Sequence, residues 1–539
     1  MSQAQEVINY HETTKHHFHR YARSAGYMDW ANQPNPFRIY EGAEVFPLPL
    51  SGGQLADIAY HRLYSSADIL PQPLNISSLG SFLGLCLGLS AWKAAGGSRW
   101  SLRINPSSGN LHPTEGYLIL PSLGELPSGI YHYNVFHHAL EKRIGLPENA
   151  WPLLKTHFQG AGFLVVLSSI FWRESWKYGE RAYRYCNLDV GHALAALAYA
   201  ARVHGWRLTA ITGAGDDQIA AMLGLDRTPF EALEEEVPDL MAWVAVENCS
   251  VDISQTLPDD WTRIFSSLKM DGHPNRLSPS TVDWSIIYRT EAVARKPPTP
   301  AMVYHPTDRP VFFAPPSTCQ AVDVIRRRRS ATAFDPRKNA TREAFLSLLE
   351  RTLARPGAPP FDAALMGPAV DLLLFVHRVA DVDPGLYFLI RSGEDLAPFK
   401  SIFNSSFLWR PAHPGLPLWQ LSQGEVTLEA LEVSCHQEIA GHSAFALAML
   451  APLKQMVADR PYLYRHLHWE CGMIGQVLYL EAEAQGMRGT GIGCFFDDAV
   501  TELLGVKDEA LNSLYHFTIG HALEDQRIQT LPAYHHLVR

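Results

Sequence analysis

Four stretches of the sequence concentrate side chains that could do chemistry. In Arg103-Ile104-Asn105-Pro106-Ser107-Ser108-Gly109-Asn110-Leu111-His112-Pro113-Thr114-Glu115, turn-forming residues, two hydroxyls and an amide stand just before a strand. They can offer donors and acceptors to a planar heterocycle, although an ordinary polar turn has the same composition. Arg326-Arg327-Arg328-Arg329-Ser330, followed by Phe334-Asp335-Pro336, sets guanidinium forks beside a hydroxyl. That suits a terminal phosphate dianion, while a bare charge run is more often a solvated face. In Gly489-Thr490-Gly491-Ile492-Gly493-Cys494-Phe495-Phe496-Asp497-Asp498, glycines let backbone N–H groups approach a ligand closely. It is not a dinucleotide fingerprint: that would need glycine at Phe496 and a preceding strand where a helix is read. Finally, Lys177, Arg181 and Arg184 fall at i, i+4 and i+7, on one helix face, with Tyr178 beside the lysine. A solvated basic face is one reading, and a proton-transferring lysine with a lowered pKa is the other.

Other chemistries are poorly served. There is no G-x-S-x-G elbow, no G-x-x-x-x-G-K phosphate loop and no H-E-x-x-H helix. Cys435-His436-Gln437 would place a thiol next to a base, but neighbours on a helix point apart, so local packing is expected. Glu12 with His16-His17-Phe18-His19 matches no zinc spacing and reads as a polar helix face; no metal site is expected.

The elements that must position these residues form an α+β pattern, with strands alternating irregularly with long helices. Strands are expected at Tyr117–Leu120, Gly129–Tyr133, Phe163–Leu167, Met241–Val246, Leu373–Val376, Gly385–Leu389 and Tyr515–Ile519. Residues 183–204 and 464–485 read as central helices, and Thr341 caps a helix running to Leu353; around Val324 there is no clear helical period. The expected organisation is a helix and extended arm (1–50), a first domain (51–260), a linker (261–318), stiff and extended where prolines crowd residues 271–318, and a second domain (319–539).

Composition bounds the partners. With 47% apolar and 19% charged residues the chain reads as globular, and a net charge of −10 gives no footprint for nucleic acid. The first twenty residues lack the apolar core of a secretory signal, and apolar runs such as Ala193–Ala201 are too short to span a membrane, so a cytoplasmic location is expected. Seven scattered cysteines without a C-x-x-C pair read as thiols rather than bridges.

The sequence also repeats itself. Tyr183-Arg184, Gly191, Gly205, Arg207, Thr209, Ile211, Asp216-Asp217 and Leu223-Gly224 recur 281 residues later as Tyr464-Arg465, Gly472, Gly486, Arg488, Thr490, Ile492, Asp497-Asp498 and Leu504-Gly505. An unbroken register across two helices and a turn is the mark of a duplicated domain. Two of the motifs have drifted apart between the copies. At the 256-residue offset of the first strands, Pro106-Ser107-Ser108-Gly109-Asn110 faces Asp362-Ala363-Ala364-Leu365-Met366, which keeps neither hydroxyl nor amide. With Ser66 set against Ser330, the first copy keeps one arginine, Arg62, where the second has Arg326 to Arg329. Lys177 corresponds to Ala458.

The serine–asparagine loop resembles the flavin-contacting loop of the FMN-dependent nitroreductase superfamily, in its SagB-type branch, which includes azoline dehydrogenases. The arginine–serine segment resembles that superfamily's opening motif. The resemblance runs from about Tyr60 to Gly224 and from Val324 onward. It implies two fused nitroreductase-like domains, each a mainly antiparallel sheet flanked by helices, paired as an intrachain pseudo-dimer. It further implies one FMN per chain in a composite pocket of Arg328, Arg329, Ser330, Asn105, Pro106, Ser107, Ser108, Asn110, Gly491, Ile492 and Gly493, with Arg527 reaching the phosphate. Lys177 and Tyr178 are the implied catalytic pair, NADH or NADPH the transient reductant, and a peptide azoline or small organic molecule the substrate. A flavin-binding scaffold without turnover is the alternative, and higher oligomers are compatible with either.

Overall fold

The computed structural model describes the chain except for residues 1, 51–56, 66–68, 149, 248–255, 259, 303, 310–318, 364, 508 and 538–539. Two seven-stranded antiparallel sheets dominate it. The first runs in the order Val45–Pro47, Ala139–Gly145, Gly129–Asn134, Thr114–Leu120, Gly162–Ser169, Val237–Ala245, Arg207–Ala210. The second runs Arg410–Pro411, Leu418–Gln420, Gly385–Leu389, Asp371–Val376, Phe445–Ala451, Asn512–Gly520, Arg488–Ile492. Sheet position for sheet position, the two halves match. The central strands are buried throughout and rich in branched and aromatic residues, as strands covered on both faces must be.

Helices Ala182–Val203 and Leu463–Ala484 pack against each other at the middle of the molecule. Glycine makes this close crossing feasible. A Cβ on Gly191 would lie 2.1 Å from the Trp469 carbonyl oxygen, and one on Gly472 would lie 2.1 Å from that of Leu188. Leu188 and Trp469 are themselves 281 apart, so the two clashes are one contact seen from both sides of a pseudo-twofold axis. Tyr183 and Tyr464, another repeat pair, stack at 6.2 Å with ring planes 4° apart. The halves then clasp each other with equivalent ion pairs. Arg184 of the first half bonds Asp497 of the second at 2.6 Å, and Arg465 of the second bonds Asp216 of the first at 2.5 Å.

Several expectations are corrected. Residues 271–318 are not simply an extended linker: helix Ser285–Val293 lies there and packs on the N-terminal helix Gln3–Thr13. Helix Ala321–Arg327 forms where no period was evident, because seven residues are too few to display one. The helix expected to carry Lys177, Arg181 and Arg184 on one face ends at Tyr178; Gly179, at φ 55°, turns the chain before the long helix begins at Ala182. Arg181 and Arg184 are buried, so no solvated basic face exists. The N-terminal helix ends at Thr13, and His16 sits beyond it, buried, its Nδ1 accepting the Ala22 N–H at 2.9 Å. The first arm also adds Val45–Pro47 as an edge strand to the first sheet. No group of histidine, cysteine or acidic residues among the described residues could hold a metal ion, and none of their helices is long and apolar enough to cross a membrane.

A third, small sheet was not anticipated. Hairpin Leu89–Ala95/Ser98–Arg103 turns through Gly96 and Gly97, both at positive φ. Strand Gln529–Leu531, from the far end of the chain, pairs with it.

Candidate active site

A cavity of about 670 Å³ opens between the halves, within the size range of small-molecule sites. Both halves build its walls. Loop residues Pro106 to Asn110 come from the first half, with Tyr178, Tyr185, Asp189 and His192 behind them. Arg328, Arg329 and Ser330 come from the second half, beside Gly491, Ile492 and Gly493.

The two second-half motifs are locked together. Ser330 and Gly489 form a parallel bridge, Ala331 donates its N–H to the Gly489 carbonyl at 3.1 Å, and the Thr490 hydroxyl bonds the Ala331 carbonyl at 2.6 Å. Tyr479, on the long helix, holds both: its hydroxyl lies 2.9 Å from Ser330 Oγ and accepts the Gly491 N–H at 3.0 Å. A Cβ at Gly491 would meet the Tyr515 hydroxyl, and one at Gly493 the Tyr185 ring, so both positions must be glycine for the wall to exist. Cross-half bonds fix the register: Arg328 Nη2 donates to the Arg103 carbonyl and Arg329 Nη2 to that of Ser90, each at 3.1 Å.

One end of the cavity gathers Arg328, Arg329, Arg488 and Lys93, with Glu524, also in the lining, paired to Arg488. Burial lowers the pKa of Arg329 to about 10, aided by repulsion from Arg328 and Arg488, and lowers those of Arg328 and Lys93. Arg328 is buried, and its Nε has no partner. The buried Arg328, with an unsatisfied donor, beside half-buried Arg329 fits a phosphate group.

At the other end, the loop's polar groups turn out to brace the loop itself. Ser107 Oγ accepts the His112 N–H at 2.8 Å; Asn110 donates to the Ser101 carbonyl and faces His112 Nε2, both at 2.9 Å. Ser108 gives its N–H to Asp189 at 3.0 Å. Gly109, Asn110 and His112 all have positive φ; glycine takes it freely and asparagine readily, so the strain falls on His112. A Cβ on Gly109 would lie 2.6 Å from the Tyr178 hydroxyl and 3.2 Å from Lys177 Nζ, which brings the lysine–tyrosine pair against the loop. Lys177 Nζ also sits 5.1 Å from the centre of the Tyr178 ring.

Beneath that pair lie two buried carboxyls, Glu174 and Asp189, close enough to raise each other's cost of ionisation. Burial pushes both pKa values well up, and their mutual repulsion raises Glu174 further, so the pair holds a proton. Burial, with Glu174 nearby, also keeps the Tyr178 phenol protonated.

Two sequence-predicted residues stand apart. Asn105 is buried behind the wall, with its Oδ1 unpartnered. Arg527 is exposed and paired to Asp525 through Nε at 2.9 Å and Nη2 at 2.7 Å; it does not line the cavity, although its neighbours Gln526 and Ile528 do. An aspartate two residues away offers a nearer, unstrained partner. Sequence reasoning missed Tyr479, Tyr185, Asp189, Glu174 and Lys93. Only Arg488 carried a signal, its place in the repeat.

The twin location is filled instead of open. Thr212 to Asp216, the counterparts of Gly493 to Asp497, are crossed by the chain after helix Ser285–Val293. Thr299 donates its N–H to Gly213, Met302 to Thr212 Oγ1, and Lys296 Nζ bonds Ala214. Phe361–Ala363, near the degenerate loop, packs on strand Arg207–Ala210. Ser66 and Ala364 lie outside the described residues.

Comparisons with known proteins agree with this architecture. A model described as the nitroreductase family matches residues 91–234 and 417–521, once in each half. A crystal structure of a protein from Anabaena variabilis, described as a nitroreductase, superposes with a TM-score of 0.68, covering 97% of this chain and all of that one at 21% identity. The chain is a tandem of two nitroreductase-like domains. The trifolitoxin-processing protein TfxB of Rhizobium leguminosarum bv. trifolii is 30% identical over 134 residues, which is 23% of this chain and 35% of that protein. A protein of Methanocaldococcus jannaschii named as a nitroreductase is 26% identical over 182 residues, covering 33% of this chain and 87% of its own length. The cavity therefore lies between two nitroreductase-like domains, as the duplicated arrangement requires.

Proposed function

We propose that this protein is an FMN-dependent oxidoreductase with one flavin site per chain, acting in the manner of the SagB-type dehydrogenases. The observation that carries the reading is the composite cavity, where buried Arg328, with an unpartnered donor, and half-buried Arg329 face the Pro106–Asn110 loop of the other half. Arg328, Arg329 and Ser330 would hold the phosphate, Gly491 to Gly493 the ring edge, and Pro106 to Asn110 the opposite side. FMN, when bound, supplies a two-electron acceptor at its ring.

The chain's own residues supply position and protons. Lys177 is placed to accept a proton from the substrate, and Tyr178, kept protonated by burial and Glu174, donates a hydrogen bond that orients it. The Glu174–Asp189 pair, adjoining both, buffers that proton. The name of TfxB, a trifolitoxin-processing protein, favours a modified peptide such as an azoline as substrate. NADH or NADPH would be the reductant where the reaction runs as a reduction.

The test is flavin released per chain from purified protein, followed by turnover in Lys177→Ala and Tyr178→Phe. One FMN per chain, with turnover lost but flavin retained in the variants, supports the reading. Absence of flavin after incubation with excess FMN overturns it. Unchanged turnover in both variants removes the catalytic pair.

A further inference from the structure

A second chemistry is built into one edge of the cavity wall. Cys494 follows Gly493 and lines the cavity, while Cys435 comes from the turn between helices Thr427–Val433 and Glu438–His442. Two bonds pin these segments together, bracketing both cysteines. Phe496 donates its N–H to the Val433 carbonyl at 2.9 Å, and Gln437 Nε2 donates to the Cys494 carbonyl at 2.8 Å. Cys435 and His436 both adopt positive φ, 53° and 58°, so the turn is bent out of helical geometry. The pairing of Val433 with Phe496 and of Gln437 with Cys494 sets Cys435, in that bend, beside Cys494, and each thiol acts on the other's titration, Cys435 up and Cys494 down. Both residues are half-buried, so reagents can reach them.

The surroundings distinguish the two thiols. Cys494 is pushed toward thiolate by the neighbouring Cys435, by His16 and by the positive charge of Arg181, against the cost of burial. His16 Nδ1 accepts the Ala22 N–H, which leaves its proton on Nε2, available to a sulfur anion. Cys435 is held as the thiol by the adjacent Cys494 and by burial. Asp497, Tyr21 and His436 complete the shell, with Asp497 neutralised by Arg181 and Arg184. An activated thiolate beside a protonated second thiol is the arrangement of an attacking and a resolving cysteine.

We propose that Cys494 and Cys435 form a redox-active dithiol that reduces disulfides of small thiols or peptides. The Cys494 thiolate attacks one sulfur of the disulfide, forming a mixed disulfide and expelling one thiolate. Cys435 then loses its proton and attacks the Cys494 sulfur, expelling the second thiolate. Net, the two protein thiols become one disulfide, the external disulfide becomes two thiols, and two electrons and two protons have moved with them.

Oxidised glutathione is the probe, with intact mass and peptide mapping of the full chain as readout, so the result is independent of flavin. Wild type should lose two hydrogens and yield a linked Cys435–Cys494 peptide. Cys435→Ser should stop at one glutathione on Cys494, and Cys494→Ser should leave Cys435 free. The idea is overturned if both cysteines of wild type stay free while the protein is folded, or if each takes up glutathione independently. Thermal unfolding of the serine variants establishes that they are folded, and the wild-type cross-link decides the matter without them.

Discussion

Asp497 accepts Arg181, Arg184 and the backbone N–H of His16, while its repeat partner Asp216 accepts Arg465 and the backbone N–H of Lys296. In both halves, then, a chain segment leaving a helix is pinned to the same aspartate at the same loop. After Asp497 the segment runs outward past Gly179 and leaves the cavity open. After Asp216 it continues through Pro298, Thr299 and Met302 across the loop where the twin cavity would be. The N-terminal helix with its arm and the helix Ser285–Val293 with its arm thus play equivalent parts, and the difference in their paths separates an open site from a filled one. Duplication preserved the frame because the frame is shared: each clamp holds both halves. A pocket is private to one face, and only one face kept its loop.

The comparison breaks most visibly at the clamps. Asp497→Ala would strand two buried guanidiniums and Asp216→Ala one, so the first should cost ~3–5 kcal/mol and the second less, read from denaturant midpoints. Equal losses would show that the clamps are not graded by charge. Burial alone would raise the Asp497 pKa, but Arg181 and Arg184 hold it down to about 2. Its contribution is therefore complete above the ordinary carboxyl range, about pH 4, and is lost as the pH falls through about 2.

Next come the pockets. Arg328→Ala should weaken FMN binding by about 10–100-fold, from ~1.5–3 kcal/mol of charge-assisted bonding, while Thr212→Ala in the twin should leave it unchanged. Isothermal titration of apoprotein with FMN reads both, and a flavin effect of Thr212→Ala would show that the twin is also occupied. On the axis itself, Gly472→Ala should cost ~1–3 kcal/mol by forcing the two long helices apart. Urea unfolding should then lose its single transition if the helix crossing couples the halves. The smallest effect concerns Glu174. Because burial raises its folded pKa, the protonated carboxyl pair stabilises fully below about pH 4 and loses that stabilisation as the pH rises through the elevated value. Glu174→Gln should flatten the upper limb of the stability–pH curve, and an unchanged slope would exclude a shared proton.

Much of this was legible beforehand where local pattern and tertiary role coincide. The branched, aromatic strands from Thr114 and Asp371, and the two long helices, were found within a residue or a few, since their burial is continuous and their periods are long. The glycine strand and arginine segment were recognisable because close backbone approach restricts residue type and because guanidinium forks beside a hydroxyl stand out in the sequence. Elsewhere the signal was short or shared. The hairpin over Gly96-Gly97 had its turn signature, which went unread, whereas helices Ser285–Val293 and Ala321–Arg327 sit among prolines or span too few turns. Arg527 had the right type near the right place, and Asp525 captured it.

Sequence alone determined the duplication, the α+β class and which copy kept which motif, because register and residue identity survive without knowledge of contacts. Only the tertiary structure decided that Arg181 and Arg184 are buried clamps, that the loop's hydroxyls brace the loop, that Glu174 meets Asp189 and Cys435 meets Cys494, and that the twin site is threaded by the chain itself. Each depends on groups far apart in sequence being brought within bonding distance in a desolvated interior. There, pairing and burial, and not residue type, set charge, pKa and access.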